Sequence, residues 1–166
     1  LAETIAFIQE EKDKIVLDSA TNSANMQFAK NEVVLNSEKS TEKQRLAALK
    51  SNFEERKKII NAELAFTQKQ PGAFNADGSP TSGTVKARLD AQKALADNQI
   101  ELADKVYKTT EEYRKRDLAA DSAMLKNKLA IQDEFAKNLL ARETASIQDR
   151  LAAQQQLVND QIKAED

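Results

Sequence analysis

Pro71-Gly72-Ala73-Phe74-Asn75-Ala76-Asp77-Gly78-Ser79-Pro80-Thr81-Ser82-Gly83 holds both prolines and all three glycines of the 166-residue chain. On either side no residue obliges a helix to stop, because proline and glycine are the two strong interrupters. The sequence therefore reads as an all-α protein. A first helical arm covers residues 1–70, a joint covers 71–83, and a second long helix covers 84–166. Pro71 pushes Gln70 out of the helical region, and Gly72 is free to take the left-handed conformation that closes a helix. Thr81, Ser82 and Thr84 are each able to cap the helix that follows. Asn75-Ala76-Asp77-Gly78 shares residue types with a calcium-binding loop. Asp77 is its only acid, and Asn, Asp and Gly are the ordinary turn formers, so a plain turn is expected. Phe74 stands out in this polar loop as a packing plug or a contact for another subunit.

Composition points the same way. Charged residues make up 31% and aromatics 5%, a profile of long helices, while 40% hydrophobic residues is too many for a disordered tail. Burial along helix seams is expected in place of one rounded core. There is no cysteine or histidine, so disulfides, thiolate chemistry and imidazole ligands are out of reach. Charge is balanced along the chain. Eleven basic and eleven acidic residues precede Pro71, and fourteen and fifteen follow Gly83. Nucleic acid and anionic membrane partners are therefore not expected. The longest apolar runs, Ile5-Ala6-Phe7-Ile8 and Leu46-Ala47-Ala48-Leu49, are far short of a span. The pattern is already helical at Leu1 and still helical at Ile162, so the chain reads as an ordered piece of a longer polypeptide.

In the first arm, Leu1, Ile5, Ile8, Ile15 and Val16 begin an apolar face that Met26, Phe28, Val33, Val34 and Leu35 resume. Polar patches at residues 18–25 and 36–41 mark either solvated faces of one helix or kinks between shorter ones. Continuity is the expectation, since Ser, Thr and Asn cost only tenths of a kcal/mol each inside a helix. Thr41 and Gln44 have capping-box spacing. Leu46, Leu49, Phe53, Ile60 and Leu64 then form a narrow stripe, with Arg56 its one polar member.

The second arm carries two stripes. Leu118, Leu125, Leu129, Ala136, Leu140, Ile147, Leu151, Val158 and Ile162 step alternately by seven and four. Eleven residues per three turns slightly exceeds the natural helical period, so this ladder runs nearly straight with a weak right-handed drift. It is the expected oligomer interface. Ala91, Leu95, Leu102, Val106, Tyr113, Met124 and Phe135 form the other stripe, about 130° around the helix. If the joint reverses the chain, residue i lies near residue ~154 minus i, since antiparallel helices advance equally per residue. Leu64 then faces Leu89, Phe53 faces Leu102 and Leu49 faces Val106. Leu46, Leu49, Phe53, Ile60 and Leu64 would pack on Leu89, Leu95, Leu102 and Val106. If it does not reverse, the arms form one extended rod.

Catalytic signals are missing. Neighbouring acids such as Glu10-Glu11, Glu111-Glu112 and Asp133-Glu134 diverge by about 100° on a helix and do not converge on one atom. No phosphate loop or nucleophile elbow occurs. No enzyme activity, metal, cofactor or small-molecule substrate is expected. Lys105, Lys108, Arg114, Lys115 and Arg116 are offset by Asp104, Glu111, Glu112 and Asp117 and read as a solvated face.

The Gln- and Asn-bearing helix from Lys128 to Asp166, KLAIQDEFAKNLLARETASIQDRLAAQQQLVNDQIKAED, resembles stretches of the tape-measure proteins of long-tailed bacteriophages. The resemblance implies a helical protein present in several copies inside a tail tube, in contact with itself and with other tail or tube proteins. Such a protein sets tube length. The chain departs from that family in lacking an apolar, glycine-rich segment. Outside that family, a cytoplasmic spacer or scaffold is the expectation, or else an arm presenting tip residues 71–83 to a partner.

Overall fold

The computed structural model describes the backbone of residues 1–165 and the side chains of residues 1–163. Asp166, the expected end of the second arm, lies outside them. The fold is all-α: α1 spans Ala2–Asn36, α2 Glu42–Lys69 and α3 Ser82–Glu165. The chain divides into two units, Leu1–Arg114 and Lys115–Asp166, and α3 contributes to both.

The first arm is two helices, not one. The patch at 18–25 stays helical, and the Thr21 hydroxyl is satisfied by donating to the Leu17 carbonyl one turn back, at 3.0 Å. The patch at 36–41 breaks the chain. Ser37 is extended, and its hydroxyl accepts from the Lys39 N–H at 3.3 Å. Thr41 then opens α2 with a complete capping box. Its hydroxyl accepts from the Gln44 N–H at 3.2 Å, and the Gln44 side chain accepts from the Thr41 N–H at 2.8 Å. Two orphan donors are thereby satisfied where the new helix begins. Propensity alone favoured continuity, and the break at 36–41 overturns that expectation. The local alternative hydrogen bonds of Ser37 and Thr41, together with packing of α1 back along α2, decide it.

α1 and α2 run antiparallel. Lys69 ion-pairs with Asp13 at 3.1 Å near one end, and Asn31 donates to Asn52 at 2.7 Å nearer the other. α2 also lies antiparallel to the first part of α3. Arg45 meets Glu112, Arg56 meets Glu101, and the Asn98 amide donates to the Phe53 carbonyl at 3.1 Å. Further along, the groove between them is lined by Ile60, Leu64 and Thr67 from α2 and by Ala87, Ala91 and Ala94 from α3.

Most buried positions of this unit are small or polar, with Leu49 the large aliphatic exception. Ala24 is fully enclosed, and Ala48, Leu49, Ala73 and Ala91 are buried with it; so are Asp13, Asn31, Thr84 and Asn98. Alanine lets backbones approach closely, and Asp13, Asn31, Thr84 and Asn98 each have a hydrogen-bond partner, as their desolvation requires, whereas the buried Arg45 Nε makes no hydrogen bond among the described residues. Gln27 donates to the Asn31 oxygen while Asn31 donates to Asn52, and Asp13 accepts from both Lys69 and Gln9. Where α1 gives way to α2, Arg45 reaches the Ser37 carbonyl at 3.0 Å and lies 5.5 Å from the Tyr113 ring centre, and the Tyr113 hydroxyl donates to the Ser40 carbonyl.

The joint is tightly built. Gln70 is extended ahead of Pro71, and the Ala73 N–H closes a turn onto the Gln70 carbonyl at 3.2 Å. Pro71 supplies its fixed φ at the first central position. Gly72 supplies φ +79° at the second, the requirement of a type II turn. A short hairpin follows. Gly78, at φ +81°, donates to the Asn75 carbonyl, the Asn75 N–H donates to the Ser79 carbonyl at 2.7 Å, and Phe74 bridges to Pro80. The threonines expected as caps are used differently. The hydroxyls of Thr81 and Thr84 both donate to the Ala73 carbonyl, at 3.0 and 2.6 Å, and fasten the loop to the start of α3.

Candidate interaction surfaces

Three surfaces have the chemistry of contact sites, and each follows from how the helices are turned. The first is the ladder on α3. Leu118, Leu125, Leu129, Leu140, Ile147, Leu151, Val158 and Ile162 are between 54% and 64% exposed, and Ala136 is exposed with them. All nine positions of the expected oligomer interface thus face solvent on one unbroken helix.

The second is the outward side of α1, where most of the apolar face read from the sequence stays open to solvent, while its members Phe28, Val34 and Leu35 are half-buried. Ile5, Ile8, Ile15, Val16, Met26 and Val33 are exposed, whereas the side turned to α2 carries Asp13, Ala24 and Asn31. The buried contacts with the neighbouring helix are small and hydrogen-bonding residues, with Leu17, Phe28, Val34 and Leu35 half-buried. The available signal was the seven-residue spacing Leu17, Ala24, Asn31, easily overlooked beside larger side chains. A shallow groove on the outward side is lined by Ile15, Ser19, Asn22 and Met26.

The third is the tip. Phe74 is 43% exposed, and the Arg88 guanidinium lies 5.9 Å from its ring centre, a cation–π contact that fixes the ring without covering it. Asp77 accepts from the Ser79 hydroxyl and, at 2.9 Å, from its N–H; these bonds hold the carboxyl below its ordinary range. Its hydrogen bonds are spent inside the turn.

The stripes expected to join α2 to α3 fall as follows. Leu49 is buried; Leu46, Phe53, Ile60, Leu64, Leu95, Leu102 and Val106 are half-buried. Leu49, Phe53 and Leu102 line one groove together with Arg56 and Glu101. Leu89 is the departure. It is 60% exposed, because Ala87 and Ala91, one on each side, take the positions toward Leu64. Arg56, the odd member of its stripe, is accounted for by Glu101. That carboxylate is held below its ordinary range by the Lys105 hydrogen bond first and by the Arg56 charge after it. Lys108 and Arg114 pair with Asp104 and Glu111 one turn away on the same helix.

Among the described residues no group of three or more acidic, His or Cys side chains is placed to hold a metal ion, and no helix is long and apolar enough to cross a membrane. No protein-family model, curated protein or solved structure matches the chain.

Proposed function

We propose that this protein is a structural helical spacer that assembles through the ladder on α3. The observation that carries the reading is the unbroken row from Leu118 to Ile162, apolar at every rung and open to solvent at every rung. Burying one such aliphatic side chain is worth about 1.5–3 kcal/mol, so a partner helix along the row gains far more than an isolated helix loses by exposing it. In this reading α2 and the first part of α3 form an antiparallel coiled-coil hairpin, locked in register by Arg45–Glu112, Arg56–Glu101 and the Asn98 amide. Length is then the working property, because each helical residue adds about 1.5 Å. A tape measure within a phage tail tube is one setting for such a device.

Replacing Leu129 and Leu151 together with aspartate tests the reading by sedimentation equilibrium. The wild-type chain is expected as an oligomer and the double variant as a monomer of unchanged helicity. A wild-type chain that stays monomeric at high micromolar concentration would rule the proposal out.

A second reading is supported by the tip. Its type II turn, hairpin and paired threonine hydroxyls hold Phe74 in place before any partner arrives, which lowers the ordering cost of binding. Removing Phe74 to Pro80 separates the two readings. Lost partner capture with intact assembly favours the tip, whereas unchanged capture and assembly favours the spacer.

A further inference from the structure

The residues flanking the ladder identify its partner more closely. At about 98° per residue, positions three and four beyond the rungs Leu118, Leu129, Leu140 and Leu151 sit roughly 50° to either side of the row. One edge holds Asp121, Gln132, Glu143 and Gln154; the other holds Ser122, Asp133, Thr144 and Gln155. Farther out, at about 80°, lie Lys128 and Arg150 on the first edge and Lys126 and Lys137 on the second. All of these side chains are exposed, and the Asp133–Lys137 contact within the helix is a loose one at 3.4 Å.

Resting on the assembly reading above, we infer that the occupant of the ladder is the same segment of a second copy, parallel and in register. In that arrangement the first edge of each helix lies along the second edge of the other. Asp121 then meets Lys126 of the second copy and Lys128 meets its Asp133, each five residues ahead, the offset at which edge residues of parallel paired helices reach one another. The two-fold axis repeats both pairs on the other side. The acids nearest the row face uncharged groups across it: Asp121 opposite Ser122, Asp133 opposite Gln132, Glu143 opposite Thr144. The antiparallel alternative with full overlap is centred on Leu140 and makes none of these pairs. Lys126 lies opposite Gln155, Asp133 opposite Gln148, and Lys128 opposite Gln154. The outward side of α1 is a poorer partner, since Lys12, Ser19 and Asn22 interrupt its row.

The chain contains no cysteine, so single cysteines in the full-length protein report on geometry directly. Leu125→Cys, Leu140→Cys and Ile147→Cys, oxidised separately, are each expected to form a disulfide-linked dimer. Cross-linking at Leu140→Cys alone would show the antiparallel pairing and overturn the inference while leaving the spacer reading intact. A wild-type chain that is monomeric by sedimentation overturns both. Charge reversal gives an independent measurement. K126E/K128E alone and D121K/D133K alone place like charges opposite each other, and each is expected to raise the dimer Kd at least about tenfold. Mixing the two variants restores every pair, so a heterodimer at least as tight as the wild-type dimer is expected. Mixing without recovery overturns the in-register pairing.

Discussion

The two parts of α3 differ in what their sides carry: the first packs on α2, whereas the second turns a row of large aliphatic side chains to solvent. Up to Arg114 its packed face repeats every seven residues through Thr84, Ala91 and Asn98, all buried and none larger than a small amide. From Leu118 the apolar row repeats every eleven, its large rungs are aliphatic, and all are exposed. Small and polar contacts suit a neighbour fixed close by through a short covalent joint, because the joint reduces the entropy of finding it. Large aliphatic rungs suit a neighbour that must be recruited from solution, where only a large buried area outweighs the loss of freedom.

A matched substitution is the strongest way to break this comparison. Leu49 is 7% exposed between helices and Leu140 is 64% exposed. Leu49→Asp buries a charge without a partner and is expected to lower stability by about 3 kcal/mol or more. Leu140→Asp is expected to leave monomer stability within about 0.5 kcal/mol while weakening association. Thermal unfolding at low concentration, read beside sedimentation, checks both. Equal destabilisation by the two would mean that the rungs are already packed within one chain.

The buried polar contacts give the next largest effect. Asn31→Ala removes a donor to Asn52 and an acceptor for Gln27, and a loss of about 1–2 kcal/mol in chemical denaturation is expected. The double replacement Asn31→Leu with Asn52→Leu is expected to recover that loss or exceed it, because well-packed apolar pairs often outperform buried polar ones. The cost falls on uniqueness of register. Hydrogen exchange along α1 should then quicken even where total stability has risen.

How much of this was legible beforehand depends on which physical signal each element carries. The joint was legible because proline and glycine act locally. Gly72 and Gly78 adopt the positive φ values that other residues avoid. The helical alignment of the ladder was legible because a periodicity over nine rungs cannot arise from one misread residue; its use as an interface is the proposal that association measurements test. The break at Ser37–Thr41 was only half legible. Its capping box stood in the sequence, but tenths of a kcal/mol per residue could not tell a solvated face from a break. The turning of α1 was only partly legible from apolar residues, since its buried positions are Ala24 and the hydrogen-bonded Asp13 and Asn31, while Leu17, Phe28, Val34 and Leu35 are no more than half-buried. The position of Leu89 failed for the same reason, with Ala87 and Ala91 taking the inward places.

The joint itself offers a smaller test. Thr84→Val keeps shape and removes the 2.6 Å bond to the Ala73 carbonyl, which still accepts from Thr81. A loss of about 1 kcal/mol is expected. Gly78→Ala meets no neighbouring atom, so its cost is confined to the strained φ, again about 1 kcal/mol. If either change also abolished association of the ladder, assembly would depend on the joint, and the comparison between the two parts of α3 would lose its basis.

The smallest expected effect is on pH dependence, and it separates the two parts by charge alone. Folding lowers the Glu101 pKa through Lys105 and then Arg56. A carboxylate with a depressed folded pKa adds stability that is complete above its unfolded value and disappears as pH falls through the folded one. The unfolding midpoint of the Leu1–Arg114 unit should therefore drop on acidification below the ordinary carboxylate range, and Glu101→Gln should flatten part of that drop. Glu101 is 39% exposed, so solvent screening limits its share to roughly a few tenths of a kcal/mol, and added salt should shrink it further. In the inferred dimer the Asp121–Lys126 and Lys128–Asp133 pairs form between chains, so added salt is expected to weaken association while leaving the first unit folded. Salt-induced dissociation at concentrations where the first unit stays folded would sharpen the distinction, because it places the second set of ion pairs between chains.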